Sequence, residues 1–111
     1  MVTAQAAGAY LAVVGGRDLL PAGKDLIVYP NPVRYQAWVA YRIIAEGPAE
    51  LLVYALSGNL AMRIPLGNQS VGQHQAPIDM RRLASGIYWV VVRSASEQGV
   101  HSAVFKAVVL H

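Results

Sequence analysis

The 111-residue chain contains no cysteine, so disulfides and thiolate chemistry are excluded while the compartment stays open. Charge is scarce as well: charged residues make up 14% of the chain, and the net charge of +3 arises from a few scattered groups. Arg81 and Arg82 are the one adjacent basic pair, and no basic–aromatic interleaving recurs along a strand. Both features argue against a nucleic-acid surface. No apolar run approaches the roughly 20 residues of a membrane-spanning helix. Met1–Gln5 lacks the basic start of a secretory leader, and the apolar stretch from Ala9 breaks off at Gly15-Gly16. The chain is therefore expected to be either intracellular or a piece of a longer protein whose leader lies elsewhere.

Groups for catalysis are equally thin. The acids are Asp18, Asp25, Glu46, Glu50, Asp79 and Glu97, and Asp25, Glu46, Asp79 and Glu97 flank turns, where a solvated carboxylate or an Asx-turn is the ordinary explanation. His74, His101 and His111 have no metal-ligand spacing. Ser85-Gly86 lacks the Gly-x-Ser-x-Gly elbow, and Gly15-Gly16 has neither the repeat nor the helix of a phosphate loop. The expectation is a non-catalytic module with no cofactor and no metal.

What the chain has is apolar residues, 55% of the total, enough for a dense core in one domain. Val, Ile, Tyr and Trp gather in short runs separated by Gly, Pro, Asn and Ser, which is the punctuation of an all-β fold. Residues 1–25 read as an extension or linker, with Tyr10–Val14 a possible extra strand. The domain proper is expected over 26–111. Leu26–Tyr29 reads as an edge strand stopped by Pro30-Asn31-Pro32. Trp38–Ile44, Glu50–Ala55 and Leu60–Ile64 follow, with hairpin chemistry at Ser57-Gly58-Asn59 and a stop at Pro65. Gly67–Gly72 reads as the crossover between sheets, and Gln73–Ile78, carrying Pro77, as another edge strand. Ile87–Val92 is a continuous apolar run, hence a buried central strand. Val100–Leu110 alternates as a long last strand, with Ala103, Phe105, Ala107 and Val109 on one face. Seven strands with one long crossover fit an immunoglobulin-like Greek-key β-sandwich.

Leu83, Gly86 and Tyr88 are spaced for a tyrosine corner, in which the phenol at the start of a late strand bonds upstream backbone. Gly58 and Gly86 are expected to supply backbone conformations costly for other residues.

Tyr29-Pro30-Asn31-Pro32-Val33 resembles the opening Tyr-Pro-Asn-Pro signature of the type IX secretion C-terminal sorting domain (type A). Leu52–Leu60 is similar to that family's central hairpin, Gly72-Gln73-His74 to its Gly-x-His, and Leu83-Ala84-Ser85-Gly86-Ile87-Tyr88 to its Leu-x-x-Gly-x-Tyr. Phe105–Val109 resembles its closing lysine-plus-apolar strand. The same blocks resemble the immunoglobulin-like domain of flagellar hook-capping proteins. The chain departs from the pattern at Ala55, where the hairpin usually has Asp, at Ile78, where an aromatic is common, and in having one lysine in the last strand. The resemblance implies a module of a secreted bacterial protein, exported across the outer membrane and released or held at the cell surface. Its implied partners are proteins of the secretion or outer-membrane machinery. Pro30, Asn31, Pro32, Gly58, Gly86 and Tyr88 then have structural roles. Arg81, Arg82, Lys106 and the last-strand residues Val108 and Leu110 are left to address a partner.

Two other readings stay open. One is a passive immunoglobulin-like spacer or assembly module that meets a partner, or its own kind, by strand addition at an open edge, with Val100–Leu110 or Leu60–Ile64 as acceptor and Tyr10–Val14 as donor. The other is a carbohydrate-binding sandwich using Tyr35, Trp38 and Trp89, although both tryptophans are expected to pack inward.

Overall fold

Apolar residues at every second position give a strand one face to bury, and two such faces laid together make the core. The computed structural model describes residues 20–111. Its regular elements are all strands: β1 (Leu26–Tyr29), β2 (Gln36–Ile43), β3 (Gly47–Ala55), β4 (Leu60–Gln69), β5 (Gly72–Asp79), β6 (Gly86–Ser96) and β7 (Gly99–Val109). They form two antiparallel sheets, one ordered β1-β2-β5 and the other β4-β3-β6-β7. Leu26 and Val28, Val39, Tyr41 and Ile43, and Ile78 meet Leu51, Val53, Val90, Val92, Ala107 and Val109 in one core cluster. Ala103 and Phe105 pack against it, so β7 presents the face its alternation predicts. The buried Tyr41 hydroxyl donates to Gln69 Oε1 at 2.7 Å, and burial raises its pKa above the ordinary phenol value.

The apolar run at Ile87–Val92 does lie centrally, between β3 and β7. The Tyr88 hydroxyl donates to Ala84 O at 2.7 Å, the backbone bond of a tyrosine corner. Gly58 has φ 98° in the β3–β4 hairpin, where Gly58 N–H donates to Ala55 O. Gly86 differs from expectation. It is not among the glycines with positive φ, and a Cβ there would meet Tyr88 Cε2 at 3.9 Å, an ordinary contact. Among the described residues, the glycine where an added Cβ would collide with backbone is Gly47, buried at the start of β3. Its Cβ would collide with the Ala95 carbonyl oxygen and come within 3.0 Å of the Ala95 carbonyl carbon.

Pro65 does not end its strand. β4 is an edge, so the missing N–H costs no ladder bond. The register shifts between Ala49 and Glu50, where Gly67 (φ 75°) and Pro65 flank the extra residue Leu66. This bulge bends β4 on to Gln69, so the β4–β5 crossover between the sheets shrinks to Ser70-Val71 where the sequence suggested a longer loop. The tryptophans also depart from expectation, since both point outward. Trp38 is 44% exposed on the outer face of the three-stranded sheet and Trp89 36% exposed on that of the four-stranded sheet. Inward positions of β2 and β6 fall to Ala37, Val39 and Tyr41 and to Tyr88, Val90 and Val92. The segment Tyr10–Val14 lies outside the described residues.

Candidate functional site

After β1, Pro30 and Pro32 turn the chain out of the three-stranded sheet and deliver it to the far end of β7. Val33 N–H donates to Val108 O at 2.7 Å, and Leu110 N–H donates to Val33 O at 2.8 Å. Between the prolines, Asn31 Oδ1 accepts the Val108 N–H at 2.9 Å. One asparagine side chain and one residue's backbone thus close the end of an edge strand.

The loop after β5 reaches the same pole. Met80 N–H donates to Tyr35 O and Leu83 N–H to Met80 O, while Met80 itself is fully buried. His111 ties the arrangement together. Its N–H donates to Ser85 Oγ at 3.1 Å, its Nε2 donates to Leu83 O at 2.6 Å, and its ring stacks on Tyr35 with centroids 5.6 Å apart. The Pro-Asn-Pro segment, the Leu83–Tyr88 segment and the end of β7 therefore meet at one pole of the sandwich.

An open depression of about 620 Å³ lies there, lined by Pro30, Pro32, Arg34, Tyr35, Gln36 and Arg81. Arg81 is clamped to Asp79, with Nη2 2.7 Å and Nε 3.2 Å from Oδ2 and with its own N–H donating to Oδ1 at 3.0 Å. These hydrogen bonds to the carboxylate hold Asp79 at a pKa of about 2, with the Arg81 and Arg82 charges adding to the effect, and they raise Arg81 in turn. Arg34, Arg81 and Arg82 outnumber Asp79 here, so positive charge remains after that pairing.

The residues singled out for a partner do not form one patch. Arg81 and Arg82 are exposed at the pole. Val108 and Leu110 lie at its rim, but the Val108 N–H and C=O and the Leu110 N–H are already bonded within the domain. Lys106 lies on the outer face of the four-stranded sheet, with Nζ 6.0 Å from the Trp89 ring centroid. Arg34 is a residue the sequence did not offer. It follows a kink with no periodicity, and its nearness to Arg81 exists only once the two loops meet. Trp38 and Trp89, on opposite outer faces, cannot grip a common ligand, and Tyr35 is engaged by His111.

Away from the pole, Glu50 on the outer face of β3 accepts hydrogen bonds from Arg93 and from Arg63 Nε, and these hold its carboxyl below the usual range. Among the described residues no group of three or more His, Cys, Asp or Glu side chains is placed to hold a metal, and no helix is long and apolar enough to cross a membrane.

A family model described as the secretion system C-terminal sorting domain matches residues 27–106. No curated protein and no solved structure gives a match.

Proposed function

Because the chain belongs to the secretion system C-terminal sorting domain family, it carries a sorting signal for type IX export, and we propose that its cationic pole is the surface the export machinery reads. Membership implies a protein secreted or attached at the cell surface, and an interaction with that machinery. Sorting domains of this family are in general non-catalytic. We read residues 26–111 as such a module, with the three-on-four strand order as an immunoglobulin-like Greek key whose chain crosses between the sheets after β2, β4 and β5. The observation that carries the assignment of the pole is the meeting of the Pro30–Pro32 and Leu83–Tyr88 segments there, with Arg34 and Arg81 lining the depression and the Arg82 charge acting on Asp79 beside it. The clamped Arg81 guanidinium and the charges of Arg34 and Arg82, beside exposed proline and tyrosine, suit an acidic, partly apolar protein surface.

The test fuses residues 1–111 to a leader-bearing reporter in a type IX host and compares it with Arg34→Glu/Arg82→Glu, which spares the Asp79–Arg81 clamp. Secretion of the parent fusion and periplasmic retention of the double variant, with unchanged melting, is the expected result. Retention of the parent while a known sorting domain is secreted in parallel overturns the sorting assignment. Equal secretion of both fusions overturns the pole as the recognised surface.

A further inference from the structure

Among the described residues β7 is the outer strand of its sheet, and its backbone parity fixes what it offers. Val108 and Leu110 direct their backbone groups away from β6, because those groups bond Val33 and Asn31. The β6–β7 register runs unbroken from Gly86↔Val109 to Ser96↔Gly99. Every second residue therefore faces the same way: Lys106, Val104, Ser102 and Val100 all turn N–H and C=O outward. No described residue bonds these groups. The other edges are poorer templates. β1 has four residues, β5 carries Pro77, and β4 carries Pro65 and two register irregularities. β7 has eleven residues without proline, and on its open stretch Val100 is 69% and Val104 56% exposed.

We propose that Val100–Lys106 is a self-pairing site through which two copies of this chain join their four-stranded sheets antiparallel across a two-fold axis. The outward-facing residues are centred on Ala103. Setting Ala103 opposite Ala103 of a second copy pairs Val100 with Lys106 and Ser102 with Val104, leaving none of the outward groups unbonded, for about eight hydrogen bonds. Charge fits the same alignment. Lys106, the single charged side chain of the open stretch, faces Val100 of the second copy instead of its own counterpart, so no like charges oppose. The closure at Val33 and Asn31 then blocks sliding in one direction, and a shift in the other leaves outward groups of Lys106 unbonded. A shift towards the end of β7 would drive the second strand into that segment, whereas in the centred alignment the second copy's β7 begins, after its Glu97-Gln98 turn, where the closure starts.

The test is sedimentation equilibrium of the full 111-residue chain. Apparent mass is expected to rise with concentration from 11.9 kDa towards about twice that value. Val104→Pro removes one outward N–H and no intramolecular ladder bond, and is expected to abolish the rise while leaving the monomer folded by circular dichroism. If that variant fails to fold, the chain's lack of cysteine supplies a second measurement. A mixture of Ser102→Cys and Val104→Cys chains is expected to oxidise to the cross-linked dimer at least several-fold faster than either alone, because the alignment sets those positions opposite each other. A monomeric mass at all concentrations overturns the proposal, as does a dimer that survives Val104→Pro. Amide exchange protection of Ser102 and Val104 that is the same in dilute monomer as at high concentration also overturns it, since it would mean the chain's own residues cover the edge.

Discussion

Gly47 and Gly86 show how differently two glycines of one sheet are constrained. The Gly47 α-carbon lies so close to the Ala95 carbonyl that a methyl group cannot enter without moving β6 away from β3, the most central strand pair of the larger sheet. Gly47→Ala is expected to cost about 3 kcal/mol, measured by denaturant unfolding. Gly86→Ala adds a methyl at ordinary contact distance with no backbone strain and should stay within about 0.5 kcal/mol of the parent. Similar losses for the two would show that the close approach at Gly47 is relieved by a small shift. The sequence invites the opposite ranking. Gly86 sits in a recognisable motif beside a turn-forming serine, while Glu46-Gly47-Pro48 reads as an ordinary turn, and the demand for glycine there comes from backbone far along the chain.

Among the elements, alternation marked β2 and β7 with their buried faces, because those strands have one face in the core and one in water, while β6 stands out as a continuous apolar run that hides which of its faces is buried. β4 was harder to read. A bulge lets the strand bend past Pro65, and no local pattern distinguishes that from a strand that stops. The outward tryptophans were misread for a related reason: large aromatic rings suit either face of a half-buried sheet, and Lys106 beside Trp89 shows what an exposed one gains. The pole was legible only in pieces, since Pro30-Asn31-Pro32 and Leu83–Tyr88 stood out by composition while Arg34 joined them only through the fold. Asn31 is the part of that motif with a measurable task, capping the Val108 N–H from the side. Asn31→Ala leaves this donor to water and frays the end of β7. It is expected to lower stability by about 1 kcal/mol and to speed amide exchange at Val108 but not at Val90, as read by hydrogen exchange. Unchanged exchange at Val108 would show that Val33 alone closes the strand.

At the scale of the whole molecule, the carboxylates whose ionisation is displaced, Asp79 and Glu50, are both displaced downward by guanidinium partners. A depressed folded-state pKa contributes stability that is present above the unfolded value, about 3.9 for Asp, and is lost as pH falls through the folded one. For Asp79 that interval runs from about 4 down to about 2. The melting temperature is expected to change little between about pH 7 and 5 through these groups and to fall below about pH 4. Glu50→Gln/Asp79→Asn should flatten that fall, and an identical acid profile in the double variant would show that neither clamp couples to folding. The closure of β7 by Val33 and Asn31 has a consequence in time. Asn31 and Val108 are separated by 77 positions, so the first strand's exit segment finds its partner only after almost the whole domain has been synthesised. Contacts so distant in sequence are slow to form and come late. A chain lacking its last few residues keeps an unsealed seam between the two sheets, and a nascent one remains unlatched, and therefore open to chaperones and translocases, until its last strand arrives.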